Sequence, residues 1–202
     1  DFIKYQTNNI DSIVRLNPDF TIDTTFVGGI DTQALWQDNY ASSSFSCLAS
    51  HPDGDIIGVG SFHSYNGVAI NGVVKINNDG SKESNFNNIC RGFDESVKQF
   101  ELQPDGKILC IGRFHAYNGV FKNRFLRLNA DGSLDESFNV SAEPFMNEND
   151  IPWDIKLQTD GKIMVASNGR FYYEYNANFP AKGGALVRLN ADGSLDPTFN
   201  DL

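Results

Sequence analysis

The chain repeats one phrase, and that repetition limits its fold more than any other feature. "SVKQFELQPDGKILCIGRFHAYNGVFKNRFLRLNADGSLDESF" covers residues 96–138. "SSFSCLASHPDGDIIGVGSFHSYNGVAINGVVKINNDGSKESNF" covers 43–86, and "PWDIKLQTDGKIMVASNGRFYYEYNANFPAKGGALVRLNADGSLDPTF" covers 152–199. A partial copy, "IVRLNPDFTIDTTF", occupies residues 13–26. The closing phenylalanines, Phe26, Phe86, Phe138 and Phe199, are 60, 52 and 61 residues apart. Solenoid repeats are shorter, at roughly 20–45 residues. A longer period holding several strands suits a propeller blade.

The strand signals inside one repeat agree. In residues 96–138, "KQFELQ" alternates, "PDGK" is a turn, and "KILCIGRF" is a short apolar run. "HAYNGVFK" holds an Asn-Gly turn signal, "RFLRLN" alternates again, "ADGS" turns, and "LDESF" reads as a last short strand. The expected fold is therefore all-β: blades of four antiparallel strands, about three and a half repeats, forming part of a larger propeller. The divisions are 1–42 (second hairpin of a partial blade and a connection), 43–95, 96–151 and 152–202, together one propeller domain or an excerpt of one. Each closing phenylalanine is expected to fill the gap between neighbouring sheets. The last hairpin of the blade occurs four times and the first only three, so further repeats upstream of Asp1 are expected.

Charge narrows the partners. The net charge is −10 and the pI about 4.6, which repels phosphate backbones, so nucleic acid is not an expected partner. No run of about 18 apolar residues is present, so no membrane insertion by a helix is expected. No signal peptide is visible at Asp1. Cys47, Cys90 and Cys110 cannot all pair within one chain and fit no zinc spacing. Cys110, inside "KILCIG", reads as a small buried hydrophobe.

The phrases "LQPDGKI", "FHAYNGV", "RLNADGSLD" and the closing "SFN" resemble the delta-60 repeat family of predicted β-propeller proteins. The resemblance covers residues 13–199 and is densest over 96–138. It implies a bacterial surface or secreted protein, or a tail-associated bacteriophage protein, and it brings no catalytic residue with it. Residues 152–199 depart from the pattern: "ASNGRFYYEYNANFPAKGG" replaces the usual "YNG" segment with a longer loop.

Candidate sites follow from residue types. Asn129, Asp131, Ser133 and Asp135, with Asn190, Asp192, Ser194 and Asp196, and Asn77, Asp79, Ser81 and Glu83, place oxygen ligands at alternate positions, as in part of a calcium loop. Val140 stands where the bidentate acid of a full loop belongs, and the competing reading is a hairpin turn closed by Asx side chains. Phe171, Tyr172, Tyr173 and Tyr175 crowd the divergent loop, and Tyr65 and Tyr117 recur in "YNG". All six are candidate binding aromatics, weighed against packing. Trp36 and Trp153 lie in connections between blades, where they pack or bind. His63 and His115 occupy equal places without a recurring acid or nucleophile, and His51 replaces the glutamine of "LQPDG".

No G-x-S-x-G, Walker A or H-E-x-x-H pattern occurs, and no cofactor is expected. The expected function is a non-enzymatic structural or adhesive module displayed extracellularly, on a phage tail or bacterial surface. Its expected partners are other protein subunits or a host-surface glycan. A glycan-binding module of a secreted bacterial protein is the second reading, and a propeller hydrolase or lyase the third.

Overall fold

The computed structural model describes residues 4–5, 8–9, 12–30, 43–88, 91–140, 151–167 and 186–199. The fold is all-β, with antiparallel pairing throughout the described residues. A short hairpin of β1 (Lys4–Tyr5) and β2 (Asn8–Asn9) comes first. The next blade contains β3 (Ser44–Ser50), β4 (Ile56–Ser61), β5 (Ser64–Tyr65), β6 (Val68–Ala69) and β7 (Val73–Ile76). The central blade repeats the plan with β8 (Val97–Leu102), β9 (Ile108–Gly112), β10 (Ala116–Tyr117), β11 (Val120–Phe121) and β12 (Phe125–Leu128). The last blade contains β13 (Pro152–Leu157), β14 (Ile163–Ser167) and β15 (Leu186–Leu189).

Each blade is a meander of three ladder strands, β3-β4-β7, β8-β9-β12 and β13-β14-β15. The expected fourth strand contracts to one bridge: Ile76 to Lys82, Leu128 to Leu134, and Leu189 to Leu195. The reason is local. Beyond the bridge, Asp135 Oδ1 accepts the amide of Ser137 at 3.0 Å and the Asp135 carbonyl accepts that of Phe138 at 3.2 Å. The backbone turns there instead of extending the ladder. Every first strand also carries a register shift near its start, at Phe45/Cys47, Val97/Gln99 and Pro152/Asp154, a recurring β-bulge that increases local twist.

The central strand explains the apolar run. In β9 all five residues are buried, and they serve two cores alternately. Ile108 and Cys110 join a cluster with Ile57, Val59 and Phe86, while Leu109 and Ile111 join one with Phe138, Ile155 and Val165. A strand buried on both faces needs no polar alternation. Phe86 and Phe138 lie between successive sheets as expected, and each such ring stabilises by about 1.5–3 kcal/mol relative to exposure. Phe26 fills the corresponding position beside Ile76 and Val74. Phe199 is half-exposed, with the Arg188 guanidinium 4.9 Å from its ring centre.

The partial blade is longer than the sequence motif indicates. β1–β2 pairs Lys4 with Asn9 and Tyr5 with Asn8. The Tyr-Asn-Gly hairpins pair Tyr65 with Val68 and Tyr117 with Val120 in the same geometry. Counting back 112 positions, Tyr5 corresponds to Tyr117 and Phe2 to Phe114, a correspondence hidden because "YQTN" stands where "YNGV" is usual. Ser12 and Arg124, which also correspond, share a positive φ of 69° and 63°.

Candidate functional site

The most conspicuous polar cluster recurs at the junctions between blades. The last turn of the central blade is closed by Asp131, whose Oδ1 accepts the Ser133 amide at 2.9 Å and its hydroxyl at 2.7 Å. Asn129 donates to the Ser133 hydroxyl at 2.9 Å. Asp192, Ser194 and Asn190 repeat this with bonds of 2.9, 2.6 and 2.9 Å. The hydrogen bonds from Ser133 and Ser194 hold the Asp131 and Asp192 carboxyls below the usual range. These oxygens close Asx turns within one hairpin.

Asp135 and Asp196 belong to a different arrangement. Arg127 Nε donates to Asp135 Oδ2 at 2.8 Å, and Lys107 Nζ donates to the same oxygen at 2.9 Å. Arg188 and Lys162 do likewise to Asp196 at 2.7 and 2.6 Å. Burial works against the charge on Asp135, yet the bonds from Ser137, Lys107 and Arg127 outweigh it and hold the carboxyl well below its ordinary value. For Asp196 the bonds from Lys162 and Thr198 dominate in the same direction. Asp135 and Asp196 are thus each engaged by one lysine and one arginine. Among the described residues no three His, Cys, Asp or Glu side chains gather as a metal site.

The same groups couple the blades. Arg127 Nη1 donates to the Ala191 carbonyl of the next blade at 2.7 Å, and its guanidinium lies 4.5 Å from the Phe138 ring centre. Arg15 bonds Asp23 at 2.8 Å, reaches Asn78 of the following blade, and covers Phe26. Backbone bonds cross at the same level: Val27, Asn87 and Asn139 donate to the carbonyls of Asp79, Asp131 and Asp192 at 2.9, 2.9 and 3.1 Å. Sequence reading saw the turn acids but missed this Arg–Lys–Asp set. Its signal was available, since Lys107, Arg127 and Asp135 recur as Lys162, Arg188 and Asp196.

Tyr65 and Tyr117 require a correction as binding candidates. Both are 0% exposed. Their hydroxyls donate to the Gly80 and Gly132 carbonyls at 2.8 and 2.6 Å, and burial raises both phenol pKa values. They brace the last turn of their own blade and present no ring to a ligand. The neighbouring Asn66 and Asn118 accept the amides of Gly29 and Gly92 at 2.9 and 2.8 Å, fastening the connection that enters from the previous blade. Phe171, Tyr172, Tyr173 and Tyr175 lie outside the described residues, as do Trp36 and Cys90. Trp153 is exposed at the start of β13, and Cys110 is buried with its thiol pKa raised by that burial.

The histidines fall in two settings. His51 is buried and links neighbouring blades, with Nδ1 2.6 Å from Asp53 and Nε2 3.3 Å from the Gly106 carbonyl. It has a bridging place that its position in the motif did not reveal. His63 and His115 are at least partly exposed near a cleft of about 280 Å³ between the first two full blades, whose lining includes Phe62, His63, Phe93, Asp94 and Glu95. His63 Nδ1 is 3.0 Å from Asn71 Oδ1, and His115 Nδ1 is 3.9 Å from Glu95. Asp94 Oδ1 accepts the amides of His115 and Ala116, both at 2.9 Å, which makes it a brace for the hairpin.

The family to which the chain is matched agrees with this architecture. A family model described as a domain of unknown function (DUF5122) beta-propeller matches residues 51–86, 103–138 and 158–199. Among solved structures, the crystal structure of a protein of unknown function from Bacteroides caccae is similar at 12% identity and a TM-score of 0.40, covering 73% of this chain and 46% of that one. The chain thus spans less than half of that protein's length. No curated protein matches it.

Proposed function

Because the chain belongs to the DUF5122 β-propeller family, we propose that it is a non-enzymatic structural or adhesive module displayed outside the cell, on a bacteriophage tail or a bacterial surface. Its partners are other protein subunits or the host surface. The resemblance of its motifs to delta-60 repeats supports this setting. The observation that carries the reading is where the recurring polar groups point: Asp131, Asp135, Arg127, Tyr117 and Asn118 all bond the chain's own turns and junctions. Groups engaged in closing turns and clamping blades make a rigid platform, which leaves recognition to residues that vary between repeats.

Contact surface is available at the hairpin tips. Val68 and Val120 are the shared exposed valines of the tips, and the next residue varies: Phe121 is exposed where the preceding blade has an exposed Ala69. Exposed apolar residues on a rigid frame suit protein contacts. The test has two parts. Antibody against the folded chain should label intact particles or cells from outside; labelling only after lysis would sink the display reading. Phe121→Ser with Val68→Ser should weaken retention on those particles while leaving the melting temperature nearly unchanged.

A further inference from the structure

The cleft between the first two full blades lies where one repeat carries small residues and its neighbour carries arginines. Residues 60–73, "GSFHSYNGVAINGV", correspond to residues 112–125, "GRFHAYNGVFKNRF". Ser61 and Gly72 therefore stand where the central blade has Arg113 and Arg124. The backbones agree at these positions. The Gly72 amide donates to the Phe62 carbonyl at 3.1 Å, as the Arg124 amide does to Phe114 at 2.9 Å. Gly60 and Gly112 donate to the carbonyls of Gly72 and Arg124 at 3.0 and 3.1 Å. Both residues have positive φ, 74° and 63°. In the central blade the side chain that leaves this point is buried, and Arg124 Nη2 lies 3.5 Å from His115 Nε2. In the blade before, the histidine is kept as His63, the arginine is gone, and the cleft of about 280 Å³ lies beside it.

The walls of the cleft offer acceptors and negative charge. His63 Nδ1 donates to Asn71 Oδ1 at 3.0 Å, which leaves Nε2 of the neutral ring as an acceptor. Asp94 uses Oδ1 for the His115 and Ala116 amides, and its Oδ2 remains to accept. The Glu95 side chain is 53% exposed. Among the described residues the lining contains no lysine or arginine. Such a site calls for a positive charge that carries several donors in one plane. A guanidinium meets both requirements, whereas an ammonium is a compact point charge. The volume falls below the roughly 300–1,000 Å³ of pockets that enclose a whole small molecule, so it suits a single side chain.

We propose that this cleft receives an arginine side chain from a partner protein. The guanidinium takes, towards His63, Asp94 and Glu95, the place that Arg124 holds beside His115 in the central blade. The site requires only a partner with an exposed arginine, and it does not depend on where the protein is displayed.

The test titrates the whole chain with N-acetyl-arginine amide and follows backbone amide resonances. The expected result is saturable shifts at His63, Gly72 and Glu95. N-acetyl-citrulline amide, which keeps the shape without the charge, should bind at least about tenfold more weakly. Glu95→Gln should weaken arginine binding about threefold and leave the melting temperature nearly unchanged, because the side chain is half exposed. Gly72→Arg supplies the guanidinium from within and should abolish binding; if that variant fails to fold, Glu95→Gln still decides. Shifts that do not saturate, or that arise away from the cleft, would overturn the proposal. So would an equal response to citrulline, and an equal response to N-acetyl-lysine amide would overturn the assignment of a guanidinium.

Discussion

At the residue scale, the last-turn glycines illustrate why the repeat is written as it is. Gly132 has φ of +79°, a conformation that costs an L-residue about 1–2 kcal/mol. It also approaches the previous blade, where a Cβ would meet the Asn87 nitrogen at 2.9 Å and the Phe86 ring at 3.0 Å. Gly80 and Gly193 meet Val27 and Asn139 in the same way. Gly132→Ala should therefore destabilise by more than the backbone term alone, at least about 2 kcal/mol in urea unfolding. An unchanged midpoint would refute the close approach. Asp135 supplies a pH test. Its folded pKa lies below the unfolded value of about 3.9, so its stabilisation is complete above that pH and is lost as pH falls through it towards the folded value. Asp135→Asn should be less stable at neutral pH and should show a flatter acid limb in pH-dependent unfolding.

At the element scale, the ion pairs vary together from blade to blade. Lys107, Arg127 and Asp135 become Asp55, Lys75 and Glu83 in the blade before, so the lysine of the first turn is replaced by an acid while the last turn keeps one as the longer Glu83. Lys75 accordingly turns to Asp53 and to Asp55 at 3.4 Å, while Glu83 accepts the Asn85 amide at 2.9 Å. Asp55→Lys alone places two ammonium groups together and should cost about 1–2 kcal/mol. Adding Lys75→Arg and Glu83→Asp rebuilds the central-blade set and should recover at least half of that loss, a coupling that a mutant cycle measures. The alternation and turn dipeptides made the strands legible in advance. The contraction of the fourth strand was not, because "LDESF" has strand-like spacing while its aspartate captures the amide two residues on.

At the scale of the whole molecule, the period and the closing phenylalanines led to the propeller, since both report packing between successive sheets. The roles of Tyr65 and Tyr117 were less legible. An aromatic next to Asn-Gly looks the same in sequence whether its ring faces solvent or, as here, its hydroxyl caps a buried carbonyl. The partial blade was underread for a related reason: β1–β2 keeps the backbone pairing of a Tyr-Asn-Gly hairpin without its Asn-Gly.

In this architecture the recurring polar residues clamp successive blades into one cooperative unit. Native-state hydrogen exchange at Asn87 and Asn139 tests it most directly, because their amides donate across the junctions to Asp131 and Asp192. Both should exchange through the same opening as Cys110 and Ile111 in β9, with similar free energy and similar denaturant dependence. Exchange at the rate of exposed turn amides, while β9 stays protected, would show blades that open independently and would contradict the clamp.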